Sequence, residues 1–271
     1  DHYKSWMSAQ DSAPILSNTL LEKKLFPLIS DSKPTYLILI DNLRYDQWKI
    51  IESTIQDFTL VEEDLYYSIL PTSTQYSRNS IFSGLLPLEM ERVFPGKWKN
   101  DEDEGAKNLY EEEFLMNNLR RHNMHDVKMS YTKITNIDFG RKVVDRIANM
   151  RDNHLNVIVY NFVDMLSHAR TDMKVIKELA DDDAAYRSLT SSWFEHSPLL
   201  DIMRKIRDQN ANVVITTDHG TIYVAKPSKV IGDRNVNSNL RYKQGKNLNY
   251  KFSDVLEVID PHDYFLPKQN V

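Results

Sequence analysis

The sequence predicts an α/β protein built on a parallel sheet with helices on both faces. Three apolar runs carry that prediction: Thr35 to Ile40 (TYLILI), Leu155 to Val163 (LNVIVYNFV) and Val213 to Thr217 (VVITT). Each is short and rich in Val and Ile, without the polar alternation of a strand that faces water on one side, so each reads as a buried parallel strand. Each is also followed at once by an acidic residue, Asp41, Asp164 or Asp218. Helical patterns fill the intervals, which is the rhythm of strand–helix–strand units.

Taken in order, residues 1–33 are amphipathic, with Leu20, Leu21, Leu25, Leu28 and Ile29 at roughly helical spacing, and Lys33-Pro34 breaks the pattern. TYLILI follows, then a helix from Tyr45 to about Gln56. Phe58 to Leu70 alternates acidic with apolar residues, which predicts one or two short strands closed by Pro71. The segment 71–87, PTSTQYSRNSIFSGLLP, crowds Thr72, Ser73, Thr74, Ser77, Ser80 and Ser83 ahead of Gly84 at the start of a helix. Residues 97–113 form a charged, solvated loop leading into a helix over Leu109 to His122. A strand over His125 to Ser130 and a helix over Asp138 to Asp152 precede the second apolar run. Two helical stretches between Asp172 and Arg207 surround the acidic group Asp181, Asp182 and Asp183, read as a solvated face. Trp193, Phe194 and His196 read as packing groups.

Composition narrows the chemistry. There is no cysteine among the 271 residues, which excludes disulfides, thiolate ligands and a Cys nucleophile. The formal charge of -5 disfavours a general polyanion-binding surface. No apolar stretch is long enough to span a membrane and the N-terminus is not that of a secretory signal, so the expected location is cytoplasmic. Residues 221–250 are locally basic, with Lys226, Lys229, Arg234, Arg241, Lys243 and Lys246, and Lys251 follows. They read as a solvated loop or as cations that handle an anionic substrate.

The carboxyl ends of neighbouring parallel strands share one edge of a sheet, so Asp41, Asp164 and Asp218 are expected to gather there. Each has an ordinary alternative: Asp41 as a helix cap, Asp164 with His168 as a cap and a surface imidazole, Asp218-His219-Gly220 as a polar turn. Clustered carboxylates repel unless a cation neutralises them, and His168 and His219 favour a transition metal over calcium or magnesium. Asp164 and His168 are four residues apart and share a helix face. The hydroxyls at 72–83 read either as caps or as a source of a nucleophile at a helix N-terminus.

The order strand–Asp41, Thr74 ahead of SGLLP, Asp164-x-x-x-His168 and Asp218-His219-Gly220 resembles the alkaline phosphatase superfamily. Within it, YLILIDNLRYDQW and LPTSTQYSRNSIFSGLLP are similar to the PglZ domain, in particular that of PorX-like response regulators. The resemblance runs from about residue 34 and implies an alkaline-phosphatase-like sheet. It further implies two zinc ions: one held by Asp41, Thr74, Asp218 and His219, with Thr74 as nucleophile, the second by Asp164 and His168. Thr74 is preferred to Thr72 for its ten-residue distance to Gly84. The family's further histidine, in a His-Gly-Gly segment, has no counterpart after Gly220; His262 and His196 are the substitutes on offer. Residues 1–33 then read as the end of a helical-bundle region, and 34–271 as a domain lacking its C-terminal end. The expected activity is a zinc-dependent phosphodiesterase for oligonucleotides or cyclic nucleotides, the output domain of a two-component regulator linked to type IX secretion. Its implied partners are a second copy of the chain and a sigma factor or secretion component. The alternatives are a metal-stabilised binding or dimerisation module and a phosphomonoesterase.

Overall fold

A computed structural model describes residues 2–9, 12–101, 103–222, 224, 226–233, 236–237 and 239–268. Arg234 of the basic segment lies outside the described residues. Among the described residues there are four strands: β1 (Thr35–Ile40), β2 (Met129–Ile134), β3 (Leu155–Tyr160) and β4 (Asn212–Thr216). The helices are α1 (Tyr3–Ser8), α2 (Leu20–Lys24), α3 (Tyr45–Glu52), α4 (Thr74–Ser83), α5 (Pro87–Val93), α6 (Glu111–Arg121), α7 (Ile137–Arg146), α8 (Phe162–Asp172), α9 (Lys174–Leu179), α10 (Asp183–Glu195) and α11 (Pro198–Arg207). None of them is long and apolar enough to cross a membrane. The chain divides into two compact units, one of Asp1–Leu21, Leu65–Arg121 and Ile222–Val271, the other of Glu22–Asp64 and His122–Thr221.

The second unit holds the sheet, ordered β2-β3-β1-β4 with every pair parallel. β1 and β3 are buried along their whole lengths, which is why their sequences are apolar without alternation. Register sets Leu39 opposite both Val159 and Thr216, so β1, β3 and β4 end at one edge. On one face, Tyr36, Ile38 and Ile40 of β1 meet Leu199, Leu200, Ile202, Met203 and Ile206 of α11 in a single apolar core. α11 begins with Pro198 and carries Arg204, Lys205 and Arg207 in its last turn, signals that match a helix start and the negative end of its dipole. α7 is capped by Asn136, whose Oδ1 accepts from the Phe139 N–H at 2.9 Å. α7 packs closely on α11: a Cβ at Gly140 would stand 3.0 Å from the Pro198 ring.

In the first unit the central element is α4, in which every residue from Gln75 to Ser83 is buried. It packs on α6, and Arg78 and Glu111, both about 2% exposed, form an ion pair of 2.6 Å between them. α4 stops at Gly84, which adopts φ 64° and returns its N–H to the Ser80 carbonyl. That left-handed residue closes the helix at little steric cost.

Two expectations need correction. Phe58 to Leu70 forms no strand: in the first unit Tyr67 makes an isolated bridge to Leu16, and Val61 is 92% exposed. Alternation there comes from exposed acids, with no ladder to satisfy the backbone. The second apolar run leaves the sheet at Tyr160, and α8 begins at Phe162, so Asp164 sits in a first helical turn rather than at a strand end. The described residues before β1 are helical as expected, in short pieces: α1, α2 and 3-10 turns, with Pro27 in the turn Phe26–Leu28. Smaller differences are the β2 strand, displaced to Met129–Ile134, and, among the described residues, three helices (α9, α10 and α11) where two were expected between Asp172 and Arg207. Phe194 and Trp193 are packing groups as expected.

Candidate metal centre

Asp41, Asp164, His168, His196, Asp218 and His219 belong to the second unit, Thr74 and His262 to the first. β1 delivers Asp41 directly, its N–H still bonded to the Tyr160 carbonyl at 2.9 Å. Asp41 does not cap α3. That position is taken by Arg44, whose N–H is satisfied by Gln47 Oε1 at 3.0 Å. The carboxylate of Asp41 is thus buried without capping α3.

The segment after β1 is stitched to the segment after β4. Leu43 N–H donates to Thr217 Oγ1 at 3.0 Å, and Thr217 Oγ1 donates to the His219 carbonyl at 2.7 Å. Asn42 N–H donates to Asp218 Oδ1 at 3.2 Å, and the same oxygen accepts the His219 N–H at 2.9 Å. Two backbone donors therefore orient the Asp218 carboxylate. The far end of the segment is anchored by Arg44, which reaches Asp46 Oδ2 at 2.6 Å and Asp183 Oδ1 at 2.7 Å. Burial works against the Arg44 charge, but the hydrogen bonds to Asp183 and Asp46 outweigh it and raise its pKa further. Burial likewise acts to raise Asp46, and hydrogen bonds from Arg44 and Arg187 reverse this and hold its carboxyl below the usual range. Asp183 is lowered chiefly by its hydrogen bond from Arg44. The acidic group at 181–183 is therefore more than a solvated face: Asp183 anchors Arg44, and Asp182 caps α10 by accepting the Ala185 N–H at 2.7 Å.

These connections bring Asp41, Asp218 and His219 together. All three are buried, and one ligand atom from each lies within 4.8 Å of the others. His219 Nε2 stands 3.8 Å from Asp41 Oδ1 and 3.9 Å from Asp218 Oδ2. Two ligands about 2 Å from one ion stand no more than about 4 Å apart, so the spacing suits a shared cation. Two carboxylates kept from water also need positive charge, because the low dielectric that excludes water magnifies their repulsion. Carboxylate oxygen with imidazole nitrogen is a donor set for zinc and its neighbours. The residues present fit a metal ion.

Asp164 and His168 stand outside that group of three. They face each other across one turn of α8, Asp164 Oδ2 to His168 Nε2 at 3.5 Å. The imidazole is 73% exposed, the carboxylate 27%. Asp164 Oδ1 accepts from Asn42 Nδ2 at 3.3 Å. His196 is exposed at the end of α10, its Nδ1 2.7 Å from the Ser192 carbonyl, and His262 is exposed in a 3-10 turn of the first unit.

In the first unit, Thr74 is the first residue of α4, and its carbonyl accepts from Asn108 Nδ2 at 3.1 Å. The hydroxyl segment and the basic segment meet there: Arg241 donates to Thr72 Oγ1 at 3.0 Å. Lys251 is paired with Asp254 at 3.6 Å.

Asn42 and Thr217 are site residues that sequence reasoning missed. A signal for Asn42 existed: it adopts φ 61°, and Asn is among the few residues besides Gly that take the left-handed region readily.

No curated protein matches the chain. The family model of the BREX system PglZ alkaline phosphatase-like domain matches residues 20–263 of the 271. That span contains the parallel sheet and the buried Asp41-Asp218-His219 group, and a hydrolase-type fold follows from it. The chain belongs to the PglZ alkaline phosphatase-like family.

Proposed function

We propose that this chain is a zinc-dependent phosphodiesterase that cleaves oligonucleotides or cyclic nucleotides through a Thr74 nucleophile. The observation that carries the reading is the buried group of Asp41, Asp218 and His219, within 4.8 Å of one another in a phosphatase-like family. Asp164 and His168 are the ligands proposed for a second ion. When bound, zinc supplies positive charge that stabilises the charge developing on phosphoryl oxygens and favours the ionised form of a nearby hydroxyl.

The protein's own groups divide the remaining work. Asp218, oriented by the N–H groups of Asn42 and His219, presents its other oxygen on the side of the imidazole. Thr74 enters through its place in the family motif and through its position at the start of α4, where backbone N–H groups favour an anionic oxygen. Its Oγ attacks phosphorus, the P–O bond to the leaving alcohol breaks, and a phosphothreonine forms. Water then cleaves the phosphothreonine, releasing a phosphomonoester and restoring the Thr74 hydroxyl. Arg241, held at Thr72, is the cation proposed to attract the anionic substrate. In the same reading the domain is the output module of a PorX-like response regulator tied to type IX secretion. It works there in the cytoplasm as a homodimer with a sigma factor or secretion component as partner.

The test is hydrolysis of bis(p-nitrophenyl) phosphate against p-nitrophenyl phosphate by zinc-loaded protein. Diester turnover that Thr74→Ala reduces to background is expected. Unchanged turnover in Thr74→Ala removes the nucleophile, and preference for the monoester removes the phosphodiesterase assignment.

A further inference from the structure

Asn42 occupies an unusual place in the second unit. It is 3% exposed, in the left-handed region at φ 61°, and touches two different carboxylates. Its backbone N–H donates to Asp218 Oδ1 and its side-chain Nδ2 to Asp164 Oδ1, at 3.2 and 3.3 Å. The second contact decides which way the amide points. An ionised carboxylate only accepts hydrogen bonds, so Nδ2 must face Asp164. Asn42 Oδ1 is thereby committed to the opposite side, where it is buried and has no hydrogen-bond partner among the described residues. A buried acceptor left unsatisfied is a cost that folded proteins seldom carry without a reason. Turning the amide over would bring Oδ1 against the Asp164 carboxylate, which is worse.

One residue thus joins the two groups of candidate ligands. Asp218 belongs to the buried group with Asp41 and His219. Asp164 presents one oxygen to Asn42 and the other to His168. The amide thus fixes one oxygen of Asp164, a carboxylate that is partly exposed on α8.

We propose that Asn42 is a positioning residue whose side-chain amide holds Asp164 in place for the second ion, while its backbone N–H orients Asp218 for the first. This rests on the reading of Asp164 and His168 as ligands. Its consequence is an asymmetry. Loss of the amide weakens one ion site and spares the other, because the backbone N–H survives any substitution that keeps the left-handed conformation.

Asn42→Gly keeps that conformation and deletes only the side chain. The experiment is calorimetric titration of the chelated full chain with zinc chloride, comparing wild type, Asn42→Gly and Asp164→Asn. Wild type is expected to bind two ions with distinct affinities, and Asp164→Asn identifies the site it affects. Asn42→Gly is expected to weaken that same site by about 10- to 100-fold, the usual effect of losing an outer-shell partner, and leave the other within about two-fold. Equal affinities in wild type and Asn42→Gly overturn the inference alone. So does equal weakening of both sites, which would mean that Asn42 supports the whole region. A single wild-type transition unaffected by Asp164→Asn overturns the ligand reading, and the inference with it. A chelated Asn42→Gly protein with the wild-type circular dichroism spectrum ties any change to the side chain.

Discussion

Arg78→Met is expected to destabilise the protein by about 3–5 kcal/mol, the usual result of removing one member of a buried ion pair. Arg78 Nε and Glu111 Oε1 are 2.6 Å apart, and both side chains are about 2% exposed, so water cannot reach the carboxylate that the substitution leaves behind. The guanidinium comes from α4 and the carboxylate from the first turn of α6. The double variant Arg78→Met/Glu111→Leu removes both charges and fills similar volume. It is expected within about 1 kcal/mol of wild type, because a well-packed apolar pair often equals a buried ion pair. Urea denaturation followed by circular dichroism gives each free energy by linear extrapolation. With Glu111→Leu alone costing a similar amount, the cycle should show a coupling of at least about 5 kcal/mol between the two positions. A single substitution costing less than about 1 kcal/mol, or a double variant no better than the worse single, would refute the view that charge burial dominates this contact.

Gly84→Ala is expected to cost about 2–3 kcal/mol, combining left-handed strain with a Cβ placed 2.6 Å from Asn118 Oδ1, whose amide is hydrogen-bonded to the Phe82 carbonyl. Gly96→Ala, at φ 78° in open space, should cost only the strain, about 1 kcal/mol. Equal losses in urea denaturation would discount the clash. Burial pushes the Tyr36 hydroxyl up to about 12, with its hydrogen bond to Gln209 only partly offsetting this. The unfolded chain therefore loses this proton near pH 10 while the folded chain keeps it, so stability falls on the order of 2 kcal/mol between about pH 10 and 12. Tyr36→Phe should flatten that alkaline decline, as measured by urea midpoints across the range; an unchanged slope would assign the decline elsewhere.

Much of the sheet was legible because burial on both faces leaves an unmistakable mark: TYLILI and LNVIVY have no polar alternation at all, and their flanks begin helices. Phe58 to Leu70 misled because alternation is only half of a strand. A ladder partner is the other half, and no local residue pattern supplies one. Asp41 and Asp218 were legible as locations, while the choice between cap and ligand depended on Arg44 and Gln47 closing the start of α3. The strand ends earlier than LNVIVYNFV suggests because an apolar run alone does not separate the end of a strand from the first turn of a helix. Asn42 and Thr217 escaped because their roles are hydrogen bonds between segments about 175 residues apart, which no local spacing encodes.

Because β1 is apolar on both faces, burial cannot tell one strand register from the next. Sliding TYLILI by one residue would exchange the Tyr36-Ile38-Ile40 face for Leu37 and Leu39, at little hydrophobic loss. What such a slip would destroy is the set of bonds beyond the strand, from Asn42 and Leu43 to Asp218 and Thr217, since one residue moves the segment about 3.3 Å. The alignment of the central strand is therefore policed from its end. The residues that assemble the metal centre double as the sheet's registration mark, so substitutions there are liable to surface as misfolding as well as lost chemistry.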